Sequence, residues 1–139
     1  MEKYMLTNKL QEIMCNIVSC YRHIPYTWRH YIMVLKLQKK YIGRIKYPFH
    51  DLDKLLMYIF LPFLGTKAIK KIHRKNCKHH ISDDKELKDL NFEEAIIDWE
   101  SARYTKPDKQ LNARETVEYY KKNSKYYGEL IKQLEKFGL

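Results

Sequence analysis

Six histidines stand at positions 23, 30, 50, 73, 79 and 80, and five of them lie between residues 30 and 80. His50 is followed directly by Asp51, and His79 by His80. Imidazole nitrogens and carboxylate oxygens together suit a borderline divalent ion such as Mn, Fe, Co, Ni or Zn. An ion of that kind lowers the pKa of its bound water and supplies hydroxide near neutral pH. The acids are as telling as the histidines. Residues 1–82 carry 16 Lys/Arg and four acids, and between Glu12 and Asp83 the only carboxylates are Asp51 and Asp53. Farther along, Asp98 stands in AIIDWESA, an otherwise apolar helical pattern. A carboxylate buried there must pair with a cation or ligate a metal, and the pattern alone leaves both readings open.

Several cations stand close to these residues in sequence. Lys54 falls one helical turn after the His-Asp doublet, at a spacing that shares a face with His50. Arg74 and Lys78 flank the later histidines and could bind a phosphate; ordinary surface charge is the plainer account of each. His23, beside Pro25, reads as structural. Asn76 reads either as an orienting hydrogen-bond partner or as a plain polar helix residue, and Trp99 as core packing.

These residues need elements to hold them. Apolar positions at Leu6, Leu10, Ile13, Ile17 and Cys20 predict a helix over about 3–21, ended by Pro25. Thr27 is placed to cap a second helix over about 28–42, with Tyr31, Val34, Leu35 and Gln38 along one side and Gly43 closing it. A loop through RIKYPF leads into a third helix, about 50–61, and Gly65–Thr66 opens a fourth, about 67–80. Ser82–Leu90 reads as a polar loop. Asn91 with Glu94, and Asn112 with Glu115, have capping-box spacing. They predict a fifth helix to about Tyr104 and a last one to about Phe137, with a turn over Thr105–Leu111. The last helix has the stripe Val117, Tyr120, Tyr127, Ile131 and Leu134. The expectation is all-α: one domain over residues 1–139, about six helices.

Composition narrows the function classes. The net charge of +10 is concentrated in residues 1–82, whereas 83–139 carry 11 Lys/Arg against 13 acids. That asymmetry suits an anionic partner: a nucleotide, another phosphorylated small molecule or nucleic acid. A solvated basic surface would look the same. The apolar run Leu55–Leu64 is too short to span a bilayer and contains Pro62. Three cysteines without a CxxC pair, and a charged N-terminal stretch, point to a reducing cytoplasm rather than a disulfide framework.

The ordered series His, His-Asp, His, His-His, Asp resembles the HD superfamily of metal-dependent phosphohydrolases. The resemblance implies His30, His50, Asp51 and Asp98 as metal ligands, with His73, His79 and His80 similar to the extra histidines of two-metal members. One ion or two is therefore expected, with Asp51 bridging in the second case. HDLDK at 50–54 is similar to the HDxxK form of several HD branches, which gives Lys54 a role on a substrate oxygen or phosphate beside the catalytic Asp51. The chain most resembles a small uncharacterised HD-like family of bacteria and their phages, through His30, HDLDK, the HxxNxxHH pattern of His73, Asn76, His79 and His80, and Asp98-Trp99. That likeness covers roughly residues 25–120. The glycine-rich signature of the cyclic-dinucleotide phosphodiesterase branch is absent after His80.

The reaction expected from the resemblance is hydrolysis of a nucleotide or other phosphate ester, with Lys54 facing substrate; Arg74 and Lys78 are further substrate-binding candidates by their place in the sequence. Two alternatives stay open: di-iron oxygenation on the same scaffold, and a non-enzymatic nucleotide- or nucleic-acid-binding protein, such as a phage-encoded inhibitor.

Overall fold

The computed structural model describes residues 1–106, 108 and 111–139, and among these it is all-α, without a strand. The helices are α1 (Glu2–Ile42), α2 (Leu52–Phe60), α3 (Gly65–Asn76), α4 (Phe92–Thr105), α5 (Ala113–Tyr120) and α6 (Tyr127–Phe137). Short 3-10 turns occupy Pro62–Leu64 and Leu87–Asp89. The expected turn over Thr105–Leu111 falls partly outside the described residues. The chain forms two compact units. The first comprises Met1–Tyr31 and Phe49–Asn76, and the second Ile32–Pro48 and Cys77–Leu139.

Pro25 does not end a helix as its type predicts: it lies inside α1. Proline removes the N–H that would reach the carbonyl four residues back. Side chains supply other bonds around that point. His23 donates from Nδ1 to the Ser19 carbonyl at 2.8 Å. Thr27, expected as a cap, instead donates its hydroxyl to the His23 carbonyl at 2.8 Å. The expected apolar stripe also divides. Leu6 and Leu10 are exposed, Ile13 and Ile17 are half-buried, and Cys20 is buried.

The first unit packs α2 against α3, and both helices against the turn of Pro62–Leu64. Its apolar core is small: Cys20, Tyr58 and Ile69, with Ile24 and Met57 against them. Two polar side chains of α1 tie down the 3-10 turn. Asn16 donates to the Phe63 carbonyl at 3.2 Å and the Cys20 thiol to the Pro62 carbonyl at 3.4 Å. Gly65, which opens α3, has φ +83°, and a Cβ there would sit 2.7 Å from Asn16 Oδ1. Burial pushes the Cys20 thiol up, against the opposing effect of a backbone bond at Gly65.

The second unit is built on hydrocarbon. Ile81, Ala95, Ile96, Ala113, Val117, Tyr126, Leu130 and Leu134 form one cluster, and Val34, Leu37 and Ile97 another. Trp99 packs against the larger cluster, as expected. Both predicted caps form. Asn91 accepts from the Glu94 N–H, and Asn112 and Glu115 make a reciprocal capping box. Gly43, at φ +82°, donates to the Lys39 carbonyl and closes α1. Gln38, fully buried, accepts from the N–H groups of Lys46 and Tyr47 at 2.9 and 2.7 Å and donates to the Tyr47 carbonyl at 3.0 Å. It thereby fixes the chain that runs toward His50.

The single last helix expected from the Asn112 cap is two. The chain leaves α5 at Lys121 and enters α6 at Tyr127. Ser124 explains part of the break: its hydroxyl accepts from the Tyr126 N–H at 3.2 Å, a local bond that competes with the helical one. Lys121 meanwhile donates to the Ile81 carbonyl at 2.8 Å. The break turns the stripe, so Val117, Leu130 and Leu134 are buried and Tyr120 is exposed.

Candidate metal centre

In the first unit, three elements bring polar groups into one buried place. His30 comes from α1, His50 and Asp51 from the turn before α2, and His73 from α3; all four are buried. Asp51 caps α2 with φ 56° and ψ 8°. It is the only non-glycine at positive φ among the described residues. The left-handed region costs a residue with a Cβ on the order of 1 kcal/mol, and aspartate enters it more readily than most. Strain of this kind persists where the surroundings hold it, which is characteristic of functional positions.

The distances are those of a coordination shell. His30 Nε2 and His50 Nε2 are 3.2 Å apart. Asp51 Oδ2 is 3.7 Å from His30 Nε2, and Oδ1 is 3.7 Å from His50 Nε2. With metal–ligand bonds of about 2.1 Å, ligand atoms in a tetrahedral shell lie about 3.4 Å from one another. Each imidazole faces a different oxygen of Asp51, so the two nitrogens and the carboxylate could hold one divalent ion after the side chains adjust.

His73 adds a third imidazole. Its Nε2 is 2.9 Å from Asp51 Oδ1, and its Nδ1 is 2.8 and 2.9 Å from the two oxygens of Asp53. A ring nitrogen facing a carboxylate at that distance donates its proton, so Asp53 holds the hydrogen on Nδ1. The carboxylate–histidine pairing is the one that orients metal-binding imidazoles and fixes their tautomer. Burial would raise the Asp53 carboxyl, but the bond and charge of His73 outweigh it and hold Asp53 below the ordinary carboxylate value. The sequence reading gave Asp53 no role. Its signal was there in the isolation of two acids within a basic stretch; what was missing was the partner on α3.

Lys54 places its ammonium 2.5 Å from Asp51 Oδ2. It therefore lies at the edge of the cluster, on the shared carboxylate. Arg74, on α3 beside His73, is exposed. Asn76 donates its amide to the Ile72 carbonyl, one turn back on its own helix, at 2.8 Å.

The remaining candidates belong to the second unit. α3 ends at Asn76, so Lys78, His79 and His80 lie beyond the helix that was expected to carry them. His79 is buried, and its Nδ1 is 3.3 Å from Glu94 Oε1. Lys78 is exposed and His80 half-buried. Asp98, on α4, is half-buried; the deeply buried acid of that helix is Glu100. Glu100 accepts from the Ala113 N–H at 3.0 Å and faces Arg103 at 3.1 Å. Of two acids two residues apart, helical periodicity buries the one in step with Ile96, Ile97 and Ser101.

No protein-family model, curated protein or solved structure matches the chain. The reading of this site therefore stands on its own geometry and on donor chemistry. Its buried His and Asp groups could hold a metal ion, and no helix among the described residues is long and apolar enough to cross a membrane.

Proposed function

We propose that the first unit binds a divalent transition ion through His30, His50 and Asp51 and hydrolyses a phosphate ester, with a nucleotide as the substrate class, as the HD-type resemblance implies. The observation that carries the reading is the approach of two imidazole nitrogens and one carboxylate to 3.2–3.7 Å of one another. When bound, the ion supplies a water of lowered pKa and stabilises charge on phosphoryl oxygens.

The chain's own groups do the rest. Asp51 presents one oxygen toward His30 and Lys54 and the other toward His50 and His73, which suits it as the ligand common to one ion or two. Asp53 keeps a proton on His73 Nδ1 and so leaves Nε2 turned to Asp51. Lys54 sets a positive charge where a phosphate oxygen would arrive, and the basic surroundings attract such a substrate. Asp98, His79 and His80 enter this ligand set through the resemblance.

The test is to express the full chain with Mn, Fe, Co and Ni supplied and measure bound metal. Phosphate release is then followed over nucleotides, cyclic nucleotides and short oligonucleotides. Asp51→Asn, which keeps the side chain's shape, is expected to lose most bound Mn and all metal-dependent hydrolysis. Equal Mn content in wild type and variant would sink the proposal. Bound metal without hydrolysis of any substrate would leave a metal-holding binding protein in its place.

A further inference from the structure

We propose a second metal site in the second unit, formed by Cys77, His79 and His80 and selective for a softer ion than the first. The three residues follow the end of α3 in a non-helical stretch. One donor atom from each lies within 4.8 Å of the others, and the two imidazole rings are 4.7 Å apart at their centres. Donors closed around one ion stand about 3.3–3.8 Å apart, given Zn–S near 2.3 Å and Zn–N near 2.0–2.1 Å. Atoms already within 4.8 Å of one another therefore have at most about 1.5 Å to close.

The backbone of this stretch is held as a binding loop would be. Lys85 Nζ donates to the carbonyls of Cys77 and His80 at 2.8 and 3.0 Å. The Asn91 N–H donates to the Lys78 carbonyl at 2.8 Å, and Lys121 Nζ to the Ile81 carbonyl at 2.8 Å. Four carbonyls between Cys77 and Ile81 are thus fixed from outside, so little ordering remains to be done when an ion binds. Glu94 Oε1, 3.3 Å from His79 Nδ1, supplies the orienting carboxylate that favours Nε2 as the ligand atom.

One thiolate and two imidazoles make a different donor set from the first unit's two imidazoles and carboxylate. Thiolate selects Zn, Co or Cu(I) over Mn and Mg. Binding releases the Cys77 thiol proton to solvent, so affinity rises with pH.

Cobalt(II) is the probe, because thiolate coordination gives a charge-transfer absorption in the near ultraviolet that nitrogen and oxygen ligands do not. The full chain titrated with Co²⁺ is expected to develop that band. Cys77→Ser is expected to abolish it, and His80→Ala to weaken Co²⁺ binding at least tenfold, with circular dichroism showing both variants folded. Cys15→Ser, at an exposed thiol, is expected to keep the band. Asp51→Asn is also expected to keep it, which separates this site from the phosphohydrolase reading: either can fail alone. The proposal is overturned if wild type shows no thiolate band, if the band survives Cys77→Ser, or if it disappears with Asp51→Asn.

Discussion

The two units bury different things. The first has an apolar core of three residues, Cys20, Tyr58 and Ile69, and alongside it buries His30, His50, Asp51 and His73. The second buries an eight-residue hydrocarbon cluster and a smaller one. Apolar burial stabilises by roughly 25 cal/mol per Å² whatever else is present. A buried carboxylate among imidazoles stabilises only when its charge is answered. The second unit's interior is therefore held mainly by apolar burial, whereas much of the first unit's interior would gain from a cation. Metal binding in the first unit is expected to be coupled to its folding.

That contrast can be broken most directly at Asp51. A ligand at a hundred times its Kd adds about 2.7 kcal/mol to the folded state. Wild-type chain titrated with Mn²⁺, which the thiolate site disfavours, is expected to rise in Tm by several degrees, and Asp51→Asn to show little of that rise. A full rise in Asp51→Asn would mean that the buried polar cluster is not where the ion acts. The opposite probe is Leu130, fully buried in the second unit. Leu130→Ala is expected to cost about 2–5 kcal/mol in denaturant unfolding, with or without Mn²⁺. A loss that added Mn²⁺ restores would contradict the division drawn here.

A smaller effect comes from Glu93, which accepts from Lys46 Nζ at 2.8 Å and the Tyr47 hydroxyl at 2.6 Å. Burial alone would raise its carboxyl, but these two partners hold it below the ordinary glutamate value of 4.5. Its stabilising contribution is present above that value and is lost as pH falls through the lowered one. Glu93→Gln is expected to cost about 1 kcal/mol at pH 7 and to flatten the acid limb of the stability curve. An unchanged acid limb would remove Glu93 from the account.

The elements that were legible in the sequence are those set by short-range chemistry. Asn91 with Glu94, Asn112 with Glu115, and Gly43 each stop or start a helix through bonds within a few residues. The misreadings all involve a partner far along the chain or an unexpected local bond. Pro25 is carried inside α1 with Thr27 and His23 bonding to nearby carbonyls. The stretch after α5 leaves the helix where Ser124 bonds locally and Lys121 reaches Ile81. His79 and His80 leave α3 where Lys85 and Asn91 hold the backbone. The same distinction divides the site. His30, His50, Asp51 and His73 were readable as an ordered series of types. Asp53 became meaningful only when α3 placed His73 against it, and Cys77 only when the loop bent back toward the two histidines. Glu100 shows the limit of pattern alone, because AIIDWES names two acids and only the packing says which is buried.

The left-handed backbone at Asp51 has a consequence for how the protein can change. Most substitutions there are filtered twice, first by a φ that disfavours other side chains and then by the loss of the carboxylate. Asparagine and glycine pass the first filter. Both are one nucleotide away from either aspartate codon. A form of the chain without the Asp51 carboxylate, but with the backbone turn kept, therefore lies a single point mutation away. A lineage that needed the scaffold but not that carboxylate would have this route open.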